Sequence, residues 1–212
     1  MRILVYIEHV EGAVAETSLE ALAIARDLGG EVEALVCSTN TTALAEQLGA
    51  ADRVIAAEID GADIYLPSLQ LAALNAAIAE RSPDLALLTY TTAGLDLAAP
   101  AARTAGWPLL GNVVSLKMDG ELLVAQAQSY GGKLDASSSM PIPGVIVLMP
   151  GADRAENAMI EGTPPVETIA LRNEAPRMRV LECLPPDRSG VDLTQCERIL
   201  CVGRAIGGTD KL

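Results

Sequence analysis

The chain predicts an α/β fold with a mostly parallel, doubly wound sheet and antiparallel strands added in its second half. Three observations carry that expectation. Short continuous apolar runs alternate with helical patterns through the first 106 residues. Glycines and prolines punctuate the alternation where elements must end. After Gly111 the helical patterns stop and strand-like segments follow one another. Strand and helix in steps of this length build right-handed βαβ units, whose strands are buried on both faces and read as unbroken apolar runs.

The elements follow in order. Ile3 to Ile7 is a buried first strand. Thr17 and Glu20 have capping-box spacing, and Leu19, Leu22, Ile24 and Leu28 give a helix that stops at Gly29. Val32 to Cys37 is a second strand, Ala43 to Leu48 a short helix ended by Gly49, and Arg53 to Ala56 a third strand. Pro67 opens a longer helix with Leu71, Leu74 and Ile78 on one stripe, and Pro83 stops it. Leu85 to Leu88 is a fourth strand, and residues 95–106 form another helix.

Beyond Gly111, residues Asn112 to Met118, Leu122 to Gln128, Lys133 to Ser139 and Val145 to Met149 read as the antiparallel addition. Asp119-Gly120 marks one hairpin turn and Tyr130-Gly131-Gly132 a second. Residues 151–195 are rich in proline and charge and read as an extended connector, with an edge strand at Glu167 to Ala170. Arg198 to Val202 reads as a new buried strand running into a Gly-rich turn. The expected domains are thus 1–150, the connector 151–195, and 196–212 as the start of another domain.

Composition removes several functions. Fifteen Lys plus Arg face 28 Asp plus Glu, a formal net charge of −13, which repels phosphate backbones and anionic membrane surfaces. One His, one Trp, four Tyr and no Phe leave little for a His-based triad or a base-stacking platform. No run is long enough to span a bilayer, and the N-terminus lacks a signal-peptide pattern. Cys37, Cys183, Cys196 and Cys201 include no C-x-x-C pair, which fits a reduced, cytoplasmic chain.

Candidate chemistry is sparse. Glu8-His9 follows the first strand, where open α/β sheets gather ligands; His9 there is either a base or a residue that fixes the loop, and the lack of a nearby nucleophile motif favours the second. Thr89-Tyr90-Thr91-Thr92-Ala93-Gly94 follows the fourth strand. Its hydroxyls suit a phosphate or a helix cap, and the absence of Lys or Arg favours the cap. Ser137-Ser138-Ser139 lacks a nucleophile-elbow frame and reads as polar strand. Trp107 reads as core filler. The carboxylates form no motif-placed pair, and there is no dinucleotide fingerprint or Walker loop.

Several segments together resemble electron-transfer flavoprotein alpha subunits. These are Glu8-His9 after the first strand, Leu48-Gly49-Ala50-Ala51-Asp52-Arg53-Val54, the stretch from Thr92 to Ala102, the Gln128 to Lys133 hairpin, and Val202-Gly203-Arg204-Ala205-Ile206-Gly207. Two glycines of the family's Gly-Gly-Arg-Gly-Leu turn are replaced here, by Val202 and Ala205. Arg103 also lies later than the family's usual arginine.

The resemblance implies an adenine-nucleotide-hydrolase-like N-terminal domain that holds a beta subunit, with AMP in that partner. It implies FAD in a C-terminal alpha domain, of whose contacts only Arg204, flanked by Gly203 and Gly207, falls in this chain. It further implies an electron carrier without bond-breaking catalysis, taking electrons from acyl-CoA or related dehydrogenases and passing them to a quinone reductase or other acceptor. The alternative from a different class is a free-standing adenine-nucleotide-binding regulator, built on the same βαβ alternation.

Overall fold

The computed structural model describes residues 1–58 and 65–171, and beyond them 178, 180–182, 184, 196, 198–203, 205 and 207. The chain divides into two units, Met1–Arg179 and Val180–Leu212.

The first unit is a nine-stranded sheet with helices on both faces. Its strands are β1 (Arg2–Ile7), β4 (Glu31–Cys37), β5 (Arg53–Ala57), β6 (Leu85–Thr89), β7 (Leu109–Asp119), β8 (Leu122–Ser129), β9 (Leu134–Pro141), β10 (Gly144–Leu148) and β11 (Val166–Thr168). A two-stranded hairpin, β2 (His9–Val10) and β3 (Ala13–Val14), follows β1. The helices are α1 (Glu16–Leu28), α2 (Thr41–Ala45), α3 (Pro67–Arg81) and α4 (Thr92–Ala105). The sheet order is β11-β5-β4-β1-β6-β10-β7-β8-β9. Every pairing from β11 to β7 is parallel, and β7-β8 and β8-β9 are antiparallel.

The parallel strands are apolar because each faces a helix layer on both sides. One face, with Ile3, Val5, Val32, Ala34 and Leu87, packs with Leu22 and Ala25 of α1 in a single core. The other, with Leu4, Leu35, Ile55, Ala86 and Val147, packs with Leu74 and Ile78 of α3 and Leu97 and Ala101 of α4. Pro67 opens α3, and Ser82, just before Pro83, closes it in a left-handed conformation at φ 47°. Gly29 ends α1 at φ 74°, where a side chain would be strained. Trp107 packs half-buried against the second core.

Three expectations are corrected. The strand at Val145–Met149 does not extend the antiparallel set. As β10 it lies inside the sheet, parallel to both β6 and β7. Its five residues are all buried, which is what a central parallel strand requires. The capping box at Thr17 and Glu20 is not formed. The N-cap of α1 is Ala15 without a side-chain cap bond, and Glu20 instead accepts the Gly151 amide at 2.7 Å. The β7-β8 loop is Gly120–Glu121, one residue beyond the expected turn, with Gly120 at φ 62°.

Within residues 151–171 a 3-10 turn at Ala155–Ala158 buries Ala155 and Ala158 in the first core, and β11 forms the edge beside β5. In the second unit, residues 198–203 form no strand, and Ile199 and Leu200 are exposed. The strand expected at Arg198–Val202 is therefore not formed. A strand needs a ladder partner, and none of the described residues supplies one.

Candidate functional site at the sheet switch point

The chain leaves β1 first toward β4 and β5, then returns to place β6 on its other side. The crevice outside the carboxyl ends of β1 and β6 is thus the topological switch point, where open α/β sheets take ligands. Glu8 and Thr89 stand there. Thr89 Oγ1 donates to Glu8 Oε1 at 2.8 Å, and Thr91 Oγ1 donates to the same oxygen at 2.6 Å. One carboxylate therefore ties the end of β1 to the loop that opens α4.

That loop spends its polar groups internally. Thr91 caps α4 by accepting the Gly94 amide at 2.9 Å. Gly94 presses so closely on β6 that a Cβ would overlap the Thr89 carbonyl oxygen. The helix end is thus occupied by its own cap, and the Glu8 carboxylate is bound to the capping hydroxyl.

His9 fixes the adjacent loop. Its Nε2 lies 2.8 Å from the Cys37 carbonyl oxygen, which only accepts, so Nε2 carries the proton. Gln47 clamps the β2-β3 hairpin from the other side, donating to Gly12 O at 2.8 Å and accepting from Val14 N at 3.0 Å. The backbone closes the loop through Ala15 N to Glu8 O at 2.8 Å, and Ser18 Oγ accepts the Glu8 amide at 2.9 Å.

The neighbouring phenols are held neutral. Burial pushes the Tyr6 hydroxyl well above its usual range, with Cys37, Glu8 and Tyr65 adding to it. Burial and then the charge of Asp96 raise Tyr65, whose hydroxyl donates to Asp96 Oδ2 at 3.3 Å. Burial alone pushes the Cys37 thiol up to about 12. Neither these two phenols nor the Cys37 thiol is ionised to a nucleophile at neutral pH.

The sequence put Glu8-His9 after the first strand and read the Thr89–Gly94 loop as a helix cap, and the structure adds that Glu8 bridges the two. The acidic residue directly after a buried strand was the available signal. Ser137, Ser138 and Ser139 lie on β9 as polar strand, far along the sheet order from β1. Of the Gly-rich turn, Arg204 lies outside the described residues. Gly203 and Gly207 are exposed, and a Cβ on Gly203 would meet nothing within 4 Å. Among the described residues no group of His, Cys, Asp and Glu could hold a metal ion, and no helix is long and apolar enough to cross a membrane.

Comparison with known proteins agrees with this architecture. The family described as electron transfer flavoprotein domain matches residues 3–173. The electron transfer flavoprotein subunit alpha of Mycobacterium leprae (strain TN) is 28% identical over 218 residues, covering 98% of this chain and 65% of the relative. The subunit of the same name from Mycobacterium tuberculosis (strain ATCC 25618 / H37Rv) is 32% identical over 161 residues, covering 74% of this chain and 49% of the relative. Protein FixB of Clostridium saccharobutylicum is 26% identical over 222 residues, with 97% and 65% covered. The chain thus spans less than two thirds of the length of these curated relatives. With residues 3–173, well over half of the chain, inside the matched span, the chain belongs to the electron transfer flavoprotein domain family.

Proposed function

We propose that this chain serves as the N-terminal part of an electron transfer flavoprotein alpha subunit. Its task is to hold a beta subunit, while FAD carries electrons from acyl-CoA or related dehydrogenases to a quinone reductase or other acceptor. The observation that carries this reading is the similarity to alpha subunits along 97–98% of the chain. The switch point supports it, because Glu8 and the capped end of α4 leave a scaffold and not a nucleotide pocket. AMP, in this reading, sits in the beta subunit.

The role needs no bond-breaking side chain in this chain, since the redox chemistry belongs to the flavin. Arg204, with Gly203 and Gly207, remains the proposed flavin contact, as a guanidinium suits a pyrophosphate. A cytoplasmic place belongs to the same reading, and among the described cysteines Cys37 is a buried free thiol and Cys201 an exposed one.

The test mixes the chain with its cognate beta subunit, with FAD and with adenine nucleotides separately. A one-to-one complex with the beta subunit is expected, with neither stoichiometric flavin binding nor sub-millimolar AMP or ATP binding by the chain alone. Failure to bind the beta subunit overturns the scaffold role. Sub-millimolar nucleotide binding favours the free-standing regulator.

A further inference from the structure

In parallel βαβ units the helices run against their strands, so α3 and α4 both end where β6 and β10 begin. Between those two helix ends opens a hollow of about 390 Å³. Asp84 and Pro143, the residues just before β6 and β10, form its floor. Its size falls in the range of small-molecule pockets, about 300–1,000 Å³. It lies at the opposite end of the sheet from the switch point of Glu8 and Thr89.

The polar groups around this hollow share one sign. A helix collects partial negative charge at its carboxyl end, where the last carbonyls lack intrahelical donors. α3 brings its C-cap Ser82 to the hollow, and α4 brings Thr104 and Ala105 of its last turn. Asp84 adds a full carboxylate. Its Oδ2 accepts the Arg2 amide at 2.8 Å, and among the described residues its Oδ1 accepts no hydrogen bond. Asn75 of α3 lines the same hollow, and its side-chain amide has no partner among the described residues.

No Lys or Arg lines the hollow to answer that charge. Arg81, the last residue of α3, is taken by Glu33 and Glu167. Arg2 is taken by Glu31 and by the Arg81 carbonyl, so one carbonyl at the end of α3 already holds a guanidinium.

The apolar part of the lining names the kind of cation. Trp107, the chain's one tryptophan, stands there half-buried beside Ile78. An indole next to a carboxylate suits an organic cation, which gains from the ring's negative face as well as from the opposite charge. A hard metal ion takes about six oxygen ligands, which one carboxylate among Ile78, Pro83, Trp107 and Pro143 does not offer. The chain's net charge of −13 draws any cation toward it from a distance.

We propose that this hollow binds a small organic cation, an alkylguanidinium or alkylammonium. Its charged head sits against Asp84 and the carboxyl ends of α3 and α4, and donates to Asn75. Its stem lies on Trp107 and Ile78. The proposal does not depend on the subunit reading above.

The experiment titrates the full chain with butylguanidinium and with butylurea, its uncharged counterpart of nearly the same shape. Because Trp107 is the sole tryptophan, its emission reports on this hollow alone, and calorimetry gives the affinity independently. A saturable response to butylguanidinium and none to butylurea over the same range is the expected result. Asp84→Asn and Thr104→Lys should each weaken binding at least tenfold, and Asn75→Asp should tighten it. Each variant is checked for folding by circular dichroism. Thr104→Lys sets its charge where a helix end favours it, so it carries the test where Asp84→Asn disturbs the contact with the Arg2 amide. Equal responses to the two probes assign the hollow to apolar ligands and overturn the cation. Displacement of butylguanidinium by magnesium assigns it to a metal and overturns the proposal as well. No response to either probe, or unchanged affinity in folded variants, overturns the site itself.

Discussion

The two ends of the parallel sheet are closed by different chemistry. At the amino end, Glu33 of β4 is fully buried and receives Arg81 from the end of α3, whose Nε lies 3.0 and 3.2 Å from its two oxygens. Arg2 and Arg53 approach the same carboxylate at 3.9 Å. Arg2 also pairs with Glu31, and Arg53 and Arg81 both reach Glu167 of β11. Hydrogen bonding to Glu33 raises the Arg81 guanidinium above its usual range. At the carboxyl end, Glu8 instead accepts from two neutral hydroxyls, among neutral phenols and a thiol. One end is locked by full charges and the other by charge-to-hydroxyl bonds. The lesson is that the end where α/β sheets usually work is here the softer of two structural seals.

The comparison breaks most sharply at Arg81. Arg81→Ala leaves Glu33 buried with only its two distant arginines, and is expected to cost about 3–5 kcal/mol, measured by urea unfolding. A loss below 1 kcal/mol would show that Arg2 and Arg53 suffice. Glu8→Ala is expected to cost about 2 kcal/mol, because it leaves the buried Thr89 hydroxyl without its acceptor. Glu8→Gln should recover part of that, since its amide oxygen still accepts. Equal costs for Arg81→Ala and Glu8→Ala would abolish the distinction between the ends.

Alkali should act on the carboxyl end alone. Tyr6, Tyr65 and Cys37 all have folded values raised above their unfolded ones. Their contribution is complete below the unfolded values. It is lost as pH rises, from the ordinary values of 9.0 for the thiol and 10.0 for the phenols upward. The buried Tyr6 and Cys37 each add a slope of about 1.4 kcal/mol per pH unit while only the unfolded chain ionises, and the more exposed Tyr65 adds less. Cys37→Ala should flatten the first part of that decline. A urea midpoint unchanged between pH 8.5 and 11 would refute the assignment. The smallest effect is kinetic: iodoacetamide should modify exposed Cys201 promptly, and buried Cys37 only at the rate of global opening. Rapid Cys37 labelling in the folded chain would mean that the carboxyl end opens locally.

Much of this fold was legible because parallel strands and their helices write strong signals. Ile3–Ile7, Ala34–Cys37 and Leu85–Leu88 are unbroken apolar runs, and Gly29, Pro67 and Pro83 mark helix ends by backbone geometry alone. The position of β10 was not legible, since periodicity identifies a strand without naming its neighbour. Its run Val145-Ile146-Val147-Leu148 did carry the mark of burial on both faces, unlike the polar β9. The amino-end network was equally hidden. Glu31 and Glu33 alternate within an apolar strand, but the arginines that answer them come from positions 2, 53 and 81, joined only by the completed sheet. At the site, the residue types were readable and the Glu8 bridge was not, because it depends on β6 lying beside β1.

The placement of β10 has a consequence for synthesis on the ribosome. Its partner β6 ends at Thr89, yet β10 begins at Gly144, so the centre of the sheet stays open while β7, β8 and β9 are being made. Until then β6 has a bare edge, an invitation to wrong pairing. Nascent chains arrested before Gly144 should remain protease-sensitive through β6, and those extended past residue 171 should not. Insertions in that stretch should then lower yield by prolonging that exposure, even where the finished protein tolerates them.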